Sequence, residues 1–229
     1  RFQTMTEQLW HPQTYSKRAE FVSELGTPVI DLLSIRPGGR VLDLGCGDGR
    51  LTQKQVEAGY RVTAVDSSSQ KIEAGKARGI DAYRMDACKV SFNQEFDAVF
   101  SSAALQWITD TDSMLHCVQQ SLIANEQCFG EFGGRGNVYE LYSALENILV
   151  SRGYASEEFM SPMYLPFAEE CSDNLENNGL KVESIELFER LTPLSGDMAN
   201  WYRVFAQKAH SRITEIMWRE IMDKIRDEL

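Results

Sequence analysis

The sequence predicts an α/β protein, an open and mostly parallel sheet with helices on both faces and a helical cap. Three observations predict it. Short apolar runs at residues 40–44, 61–65, 81–85, 96–101 and 127–132 alternate with helical patterns, as a parallel sheet with crossover helices requires. The first run ends in three alternating glycines, Gly45, Gly47 and Gly49, placed just before a helix. The chain has 229 residues, 43% of them hydrophobic, which suits one core domain with a small cap.

The elements follow in order. Tyr15, Ala19, Val22 and Leu25 share one helical face, and Gly26 ends that helix. Thr27 and Pro28 offer an N-cap and a first-turn proline for a second helix through Leu33. Pro37-Gly38-Gly39 turns into the first strand. Helices are expected over 50–58 (stopped by Gly59), 68–77 (stopped by Gly79) and 111–122, the last capped by Asp110 with Met114, Cys117, Val118 and Leu122 as its apolar stripe. Asn137 is placed to cap a long amphipathic helix carrying Val138, Leu141, Tyr142, Leu145, Ile148 and Leu149. A loop with Pro162 and Pro166, a helix near 168–177 and a late strand near 181–188 follow. Two helices, 197–209 and 211–228, close the chain, with Trp201, Tyr202 and Phe205 dominating the first. The expected organisation is one domain over 1–229, with an N-terminal helical lid and entry helices over 1–34, a sheet core over 35–190 and a C-terminal helical cap over 191–229.

Charge and cysteine content narrow the function. The formal net charge is −11, from 34 acidic and 23 basic side chains, which argues against nucleic acid or an anionic membrane as partner. No run reaches the roughly 18 apolar residues of a membrane span, and the N-terminus does not read as a secretory signal. Five cysteines without a CxxC pair, and three scattered histidines, argue against a disulfide framework or a zinc site and for a cytoplasmic protein.

The glycine loop carries the chemistry. Glycine lets the backbone turn sharply and approach a ligand with no Cβ in the way. Asp66 ends the second strand, twenty-one residues after Gly45, where a carboxylate can accept from ribose hydroxyls. The spacing is GxGxG, so the third glycine of the dinucleotide pattern is missing. Asp43 stands two residues before the first glycine, suited to a ligand ammonium and repelling a pyrophosphate. Asp86 and Ala87 close the third strand, where a carboxylate and an N–H can meet an adenine amine and ring nitrogen. An amino-acid-bearing nucleoside fits these features better than a dinucleotide.

DLGCGDG at 43–49, VD at 65–66, MDA at 85–87 and FDAVFSSAALQW at 96–107 together resemble the class I, Rossmann-like, S-adenosylmethionine-dependent methyltransferases. Within that class the chain looks most like the trans-aconitate methyltransferase and methyltransferase type 11 group, through SSAALQW, Trp10 and Tyr15, and the late Thr192-Pro193-Leu194 and Trp201. The resemblance implies a Rossmann-like sheet core over 35–190, with strand order 3-2-1-4-5 followed by a late antiparallel strand. It implies a cofactor, S-adenosyl-L-methionine with S-adenosyl-L-homocysteine as product, held by Tyr15, Asp43, Gly45, Cys46, Gly47, Asp66, Ser67, Asp86, Ala87 and Ser102. Each also has a plainer reading: Asp43 as an anchor of the loop, Asp66 as a helix cap, Asp86 as a turn residue and Cys46 as a small filler.

Trp10, Trp107, Arg135 and Trp201 are candidates for the substrate pocket, and Trp107 and Trp201 fit a core equally. Glu131 and His11 are candidates for a general base, with His210 a third; no catalytic residue is otherwise assigned. The expected activity is methyl transfer to a small molecule, with a carboxylate as the acceptor that needs no base. A non-catalytic cofactor-binding module and an NAD-dependent oxidoreductase are the alternatives. A monomer or homodimer is expected.

Overall fold

The computed structural model describes residues 25–192 and 198–228. Its sheet has five parallel strands in the order β3-β2-β1-β4-β5. The strands are β1 (Arg40–Leu44), β2 (Arg61–Asp66), β3 (Ala82–Arg84), β4 (Phe96–Ser102) and β5 (Leu122–Glu131). Helices α1 (Thr27–Ile30), α2 (Arg50–Glu57), α3 (Ser69–Ala77) and α4 (Thr111–Ser121) lie before and between them. α5 (Tyr139–Ser151), α6 (Ser156–Phe159), α7 (Ala168–Asn177), α8 (Met198–Phe205), α9 (Gln207–His210) and α10 (Glu215–Glu228) follow the sheet.

Alternation along the central strands builds two layers of core. Leu42, Leu44 and Val99 pack with Met114, Leu115 and Val118 of α4. Their neighbours Val41, Ala98 and Phe100 pack with Val29, Ile30 and Leu51 of α1 and α2. Both faces of β1 and β4 are therefore covered, which is why these strands read as largely apolar runs, with Asp43, Asp97 and Ser101 buried among them. Asp43 shares its side of the sheet with Val41, the side that α2 covers. A third cluster closes the helical part, with Leu145 and Leu149 of α5 around Tyr202, Trp218, Ile221 and Ile225. That core draws on α5 and α6 as well as on residues 198–228. Among the described residues no helix is long and apolar enough to cross a membrane.

Several local expectations need correction. Lys181–Phe188 forms no strand among the described residues. It is tied to β5 through side chains, Gln127 donating to Glu183 at 3.3 Å and Arg190 pairing with Glu131, and no backbone ladder forms. β5 begins at Leu122, directly after Ser121, five residues earlier than expected. Its first pair is Phe96 with Leu122 and its next is Ala98 with Gln127, so residues 123–126 bulge outward around Asn125 at φ +68°. That bulge, with Asn125 and Glu126 exposed in it, reads as a loop in the sequence. α5 is capped by Val138 in the left-handed region, one residue beyond Asn137. α1 is capped by Gly26 and spans a single turn, and the Thr27 hydroxyl accepts from Lys54 at 2.7 Å. Asp110 caps α4 as expected, accepting from Ser113 at 3.2 Å.

Candidate active site

The parallel register brings the carboxyl ends of the strands to one edge. Leu44 lies opposite Val65, and Asp66 opposite Arg84, so Gly45, Asp66 and Asp86 emerge side by side. The glycine loop folds back onto β2, with the N–H groups of Gly45 and Cys46 donating to the Val65 carbonyl at 2.8 and 3.0 Å. Gly45 and Gly47 have φ of +80° and +60°, where a side chain is strained. A Cβ on Gly45 would stand 2.3 Å from the Ala104 Cβ, so this glycine lets the ends of β1 and β4 meet. A Cβ on Gly47 would meet nothing within 4 Å, which makes this stretch of backbone an open cradle.

Asp66 is 8% exposed and binds the loop to α3. Oδ2 accepts from Gly47 N–H at 3.0 Å and Oδ1 from Ser68 N–H at 2.9 Å. Each carboxylate oxygen accepts about two bonds, so each keeps one acceptor position for a ligand hydroxyl. Ser67 is exposed just beyond, and its carbonyl accepts from Arg84 at 3.0 Å. Asp86 is more open. It caps a 3-10 turn over Ala87–Lys89, accepting from Cys88 N–H at 3.1 Å, and pairs with Lys89 at 3.3 Å.

Asp43 is 2% exposed. Its Oδ2 accepts from Thr52 Oγ1 at 2.6 Å and from Gln55 Nε2 at 2.9 Å, both on α2. Burial pushes its carboxyl up to about 6, although both hydrogen bonds pull the other way. The folded chain thus holds this proton more tightly than the unfolded chain. The resulting stability is complete below pH 3.8 and is lost as the pH rises through about 6. Asp43→Asn removes that loss and keeps an amide oxygen able to accept both bonds. The variant is expected to be more stable than the parent by about 1–3 kcal/mol at pH 8, with the advantage gone at pH 4. Denaturant unfolding at the two pH values checks this, and a difference independent of pH would refute it.

The other candidates lie around the ends of β4 and β5. Ser102 is half-buried, and Gly26 leaves it room, since a Cβ there would stand 2.5 Å from its Oγ. Ala103, at φ +53°, donates to the Glu131 carbonyl at 2.7 Å. Trp107 ends a 3-10 turn over Leu105–Trp107 and is half-buried. The Gln106 carbonyl in that turn accepts from Tyr164 N–H at 2.9 Å, and Tyr164 stacks on Phe132 at 6.1 Å. The Glu131 carboxylate is forked by Arg190, whose Nη2 lies 3.0 Å from Oε2. The Arg190 guanidinium sits 4.9 Å above the Phe188 ring, and that of Arg135 sits 5.3 Å above Phe167.

The structure therefore gathers Asp43, Gly45, Cys46, Gly47, Asp66, Ser67, Asp86, Ala87 and Ser102 at one edge, with Trp107, Glu131 and Arg135 beyond β4 and β5. It places Trp201 in the helical cluster, against Tyr142, Tyr202 and Phe205 at 5.8, 5.2 and 5.1 Å. His210 is in that unit too, 4.6 Å from Trp218 and 3.5 Å from Glu215. Trp10, His11 and Tyr15 lie outside the described residues, as do Pro193 and Leu194. Sequence reasoning missed Lys71, Thr52, Gln55, Tyr164 and Arg190. For Thr52 and Gln55 a signal existed: they are three apart on the helix that follows the loop, on its buried face.

A parallel sheet in this order, with a glycine loop after β1 and a carboxylate ending β2, defines a Rossmann-like nucleoside-binding protein. The methyltransferase domain family matches residues 41–124. An uncharacterized methyltransferase of Schizosaccharomyces pombe, C70.08c, is 30% identical over 95% of this chain and 87% of its own length. The trans-aconitate 2-methyltransferase of Rhodococcus jostii is 38% identical, over 47% of this chain and 43% of its own. Among solved structures, Haemonchus contortus phosphoethanolamine N-methyltransferase 2 superposes with a TM-score of 0.61 over 95% of this chain and 52% of that one, at 19% identity. A methyltransferase of Haloferax volcanii, solved with its Trm112 activator, gives 0.58 over 76% and 73%, at 14% identity. The chain belongs to the class I, S-adenosylmethionine-dependent methyltransferases.

Proposed function

We propose that this protein transfers the methyl group of S-adenosylmethionine to a small molecule, with a carboxylate as the acceptor. The donor set fits the cofactor: an open cradle at Gly47, two acceptor positions on Asp66 for ribose hydroxyls, and Asp86 with the Ala87 N–H at the adenine end. Asp43 Oδ1 is the oxygen that neither Thr52 nor Gln55 engages, and it is assigned to the ligand ammonium. When bound, S-adenosylmethionine supplies a methyl group already activated on a sulfonium. The chain's task is to hold the acceptor in line within roughly 3–3.5 Å and to exclude water. The helices over 198–228 are assigned as the cap. The reading includes a cytoplasmic location, since all five cysteines are free thiols.

The observation that carries the acceptor class is the Arg135 guanidinium beyond the end of β5, which lies 5.3 Å from the Phe167 ring and pairs with no carboxylate among the described residues. A guanidinium matches a carboxylate bidentately. Glu131 is bound to Arg190, which suits holding that side chain in place better than serving as a base. A carboxylate acceptor is ionised at neutral pH and requires no base. The partial likeness to trans-aconitate 2-methyltransferases supports the same reading.

The test supplies methyl-labelled S-adenosylmethionine with a panel of di- and tricarboxylates, phenols and amines. Label released by mild base, as from a methyl ester, is the expected result. Arg135→Ala should then raise the acceptor KM about tenfold or more, the weight of a charge-assisted bond. Base-stable label confined to phenols or amines would sink the carboxylate reading. Cofactor binding with no transfer to any acceptor would favour the non-catalytic module.

A further inference from the structure

Among the described residues Lys71 is the only buried cation. It stands on α3, three residues after the Ser68 cap, with 9% of its side chain exposed. Its Nζ is 3.9 Å from Asp66 Oδ2, the same oxygen that accepts the Gly47 N–H. Cys46 and Asp48 of the glycine loop also act on it electrostatically. Asp48 has cations of its own, Arg50 at 3.1 Å and Arg78 at 3.7 Å. Burial pulls the Lys71 ammonium toward its neutral form, and Asp66 opposes that pull. An apolar side chain of similar length would fill this space without the cost of burying a charge. What the lysine adds at this position is therefore its charge, placed under the carboxylate that receives the ribose.

That charge bears on the one electrostatic difference between cofactor and product. S-adenosylmethionine carries a positive sulfur and S-adenosylhomocysteine a neutral one. The sulfur is bonded to the ribose 5′ carbon, so a ribose held by Asp66 keeps it one sugar ring from the Lys71–Asp66 pair. We propose that Lys71 is a specificity-determining countercharge. It offsets Asp66, weakens the hold on the cationic cofactor relative to the neutral product, and keeps the glycine loop in register through Asp66. This rests on the cofactor reading and goes beyond it to the balance between cofactor and product.

Calorimetry on the full chain tests it, with S-adenosylmethionine and S-adenosylhomocysteine titrated separately into the parent and into Lys71→Met, Lys71→Gln and Lys71→Arg. The readout is the product Kd divided by the cofactor Kd. Both neutral variants should raise this ratio roughly 3- to 10-fold, the weight of one unit charge at such a distance in partly screened surroundings. Lys71→Arg should leave it near the parent value. Lys71→Gln stands in if Lys71→Met fails to fold, and thermal melts identify that case. A ratio unchanged while both nucleosides bind more weakly would overturn the proposal and reduce Lys71 to a packing role. A ratio that falls would also overturn it. Binding of neither nucleoside by the parent would fail the cofactor reading itself, a result distinct from these.

Discussion

Asp66→Ala is expected to weaken S-adenosylmethionine binding by about 100-fold or more, because two hydroxyl bonds to a carboxylate are worth roughly 1.5–3 kcal/mol each. The same substitution also lowers stability. It leaves the N–H groups of Gly47 and Ser68 without their acceptor and takes a nearby carboxylate from the buried Lys71 ammonium. A loss of about 2–4 kcal/mol is expected by denaturant unfolding. Adding Lys71→Met to Asp66→Ala separates the two effects. The double variant should regain part of the stability and none of the affinity, since the buried charge that Asp66 had offset is gone and the ribose acceptor is still missing. Retention of parental affinity by a folded Asp66→Ala protein would refute the ribose assignment.

Gly45→Ala is expected to be the more damaging of two alanine substitutions in the loop. At φ +80° an alanine costs about 1–2 kcal/mol, and its Cβ would overlap that of Ala104 at 2.3 Å, adding roughly 1–3 kcal/mol of overpacking. Gly47→Ala carries the backbone cost alone, because its Cβ meets nothing within 4 Å. Unfolding of the two variants side by side measures the difference. Gly45→Ala should be less stable than Gly47→Ala by about 1–3 kcal/mol. Equal stabilities would show that the close approach of β1 and β4 is not what requires glycine at position 45.

The sheet was legible because its central strands are covered on both faces. Val41-Leu42-Asp43-Leu44 and residues 96–101 contain almost nothing that a solvated strand would carry. The ligand-facing loop was legible because few residues other than Gly and Asp do its work. What stayed hidden depends on partners rather than on residue type. The alternation over 181–188 looks like a strand, but nothing in it says whether a hydrogen-bonding edge is offered. Residues 123–126 look like a loop because Asn125 and Glu126 interrupt the apolar run where the chain bulges out of β5. Lys71 is hidden because a lysine on a helix is ordinarily solvated, and only Ile72 and Gly75 beside it mark that face as buried. The partners of Asp43 required knowing that α2 lies over the same side of β1. Arg190 was hidden because its partner, Glu131, lies fifty-nine residues earlier in the chain.

The helical part closes around its own core, with Leu145, Leu149, Tyr202, Trp218, Ile221 and Ile225 buried against each other and apart from the clusters of the sheet. Two cores joined by a few segments are two cooperative units, each able to open or be rebuilt while the other stays intact. In evolutionary terms the molecule is modular. The glycine loop and the end of β2 are tied together through Asp66, so substitutions there are penalised. The helices can drift in size and composition with little consequence for that loop. A lineage of such proteins can therefore alter its helical half while inheriting the sheet and its glycine loop unaltered.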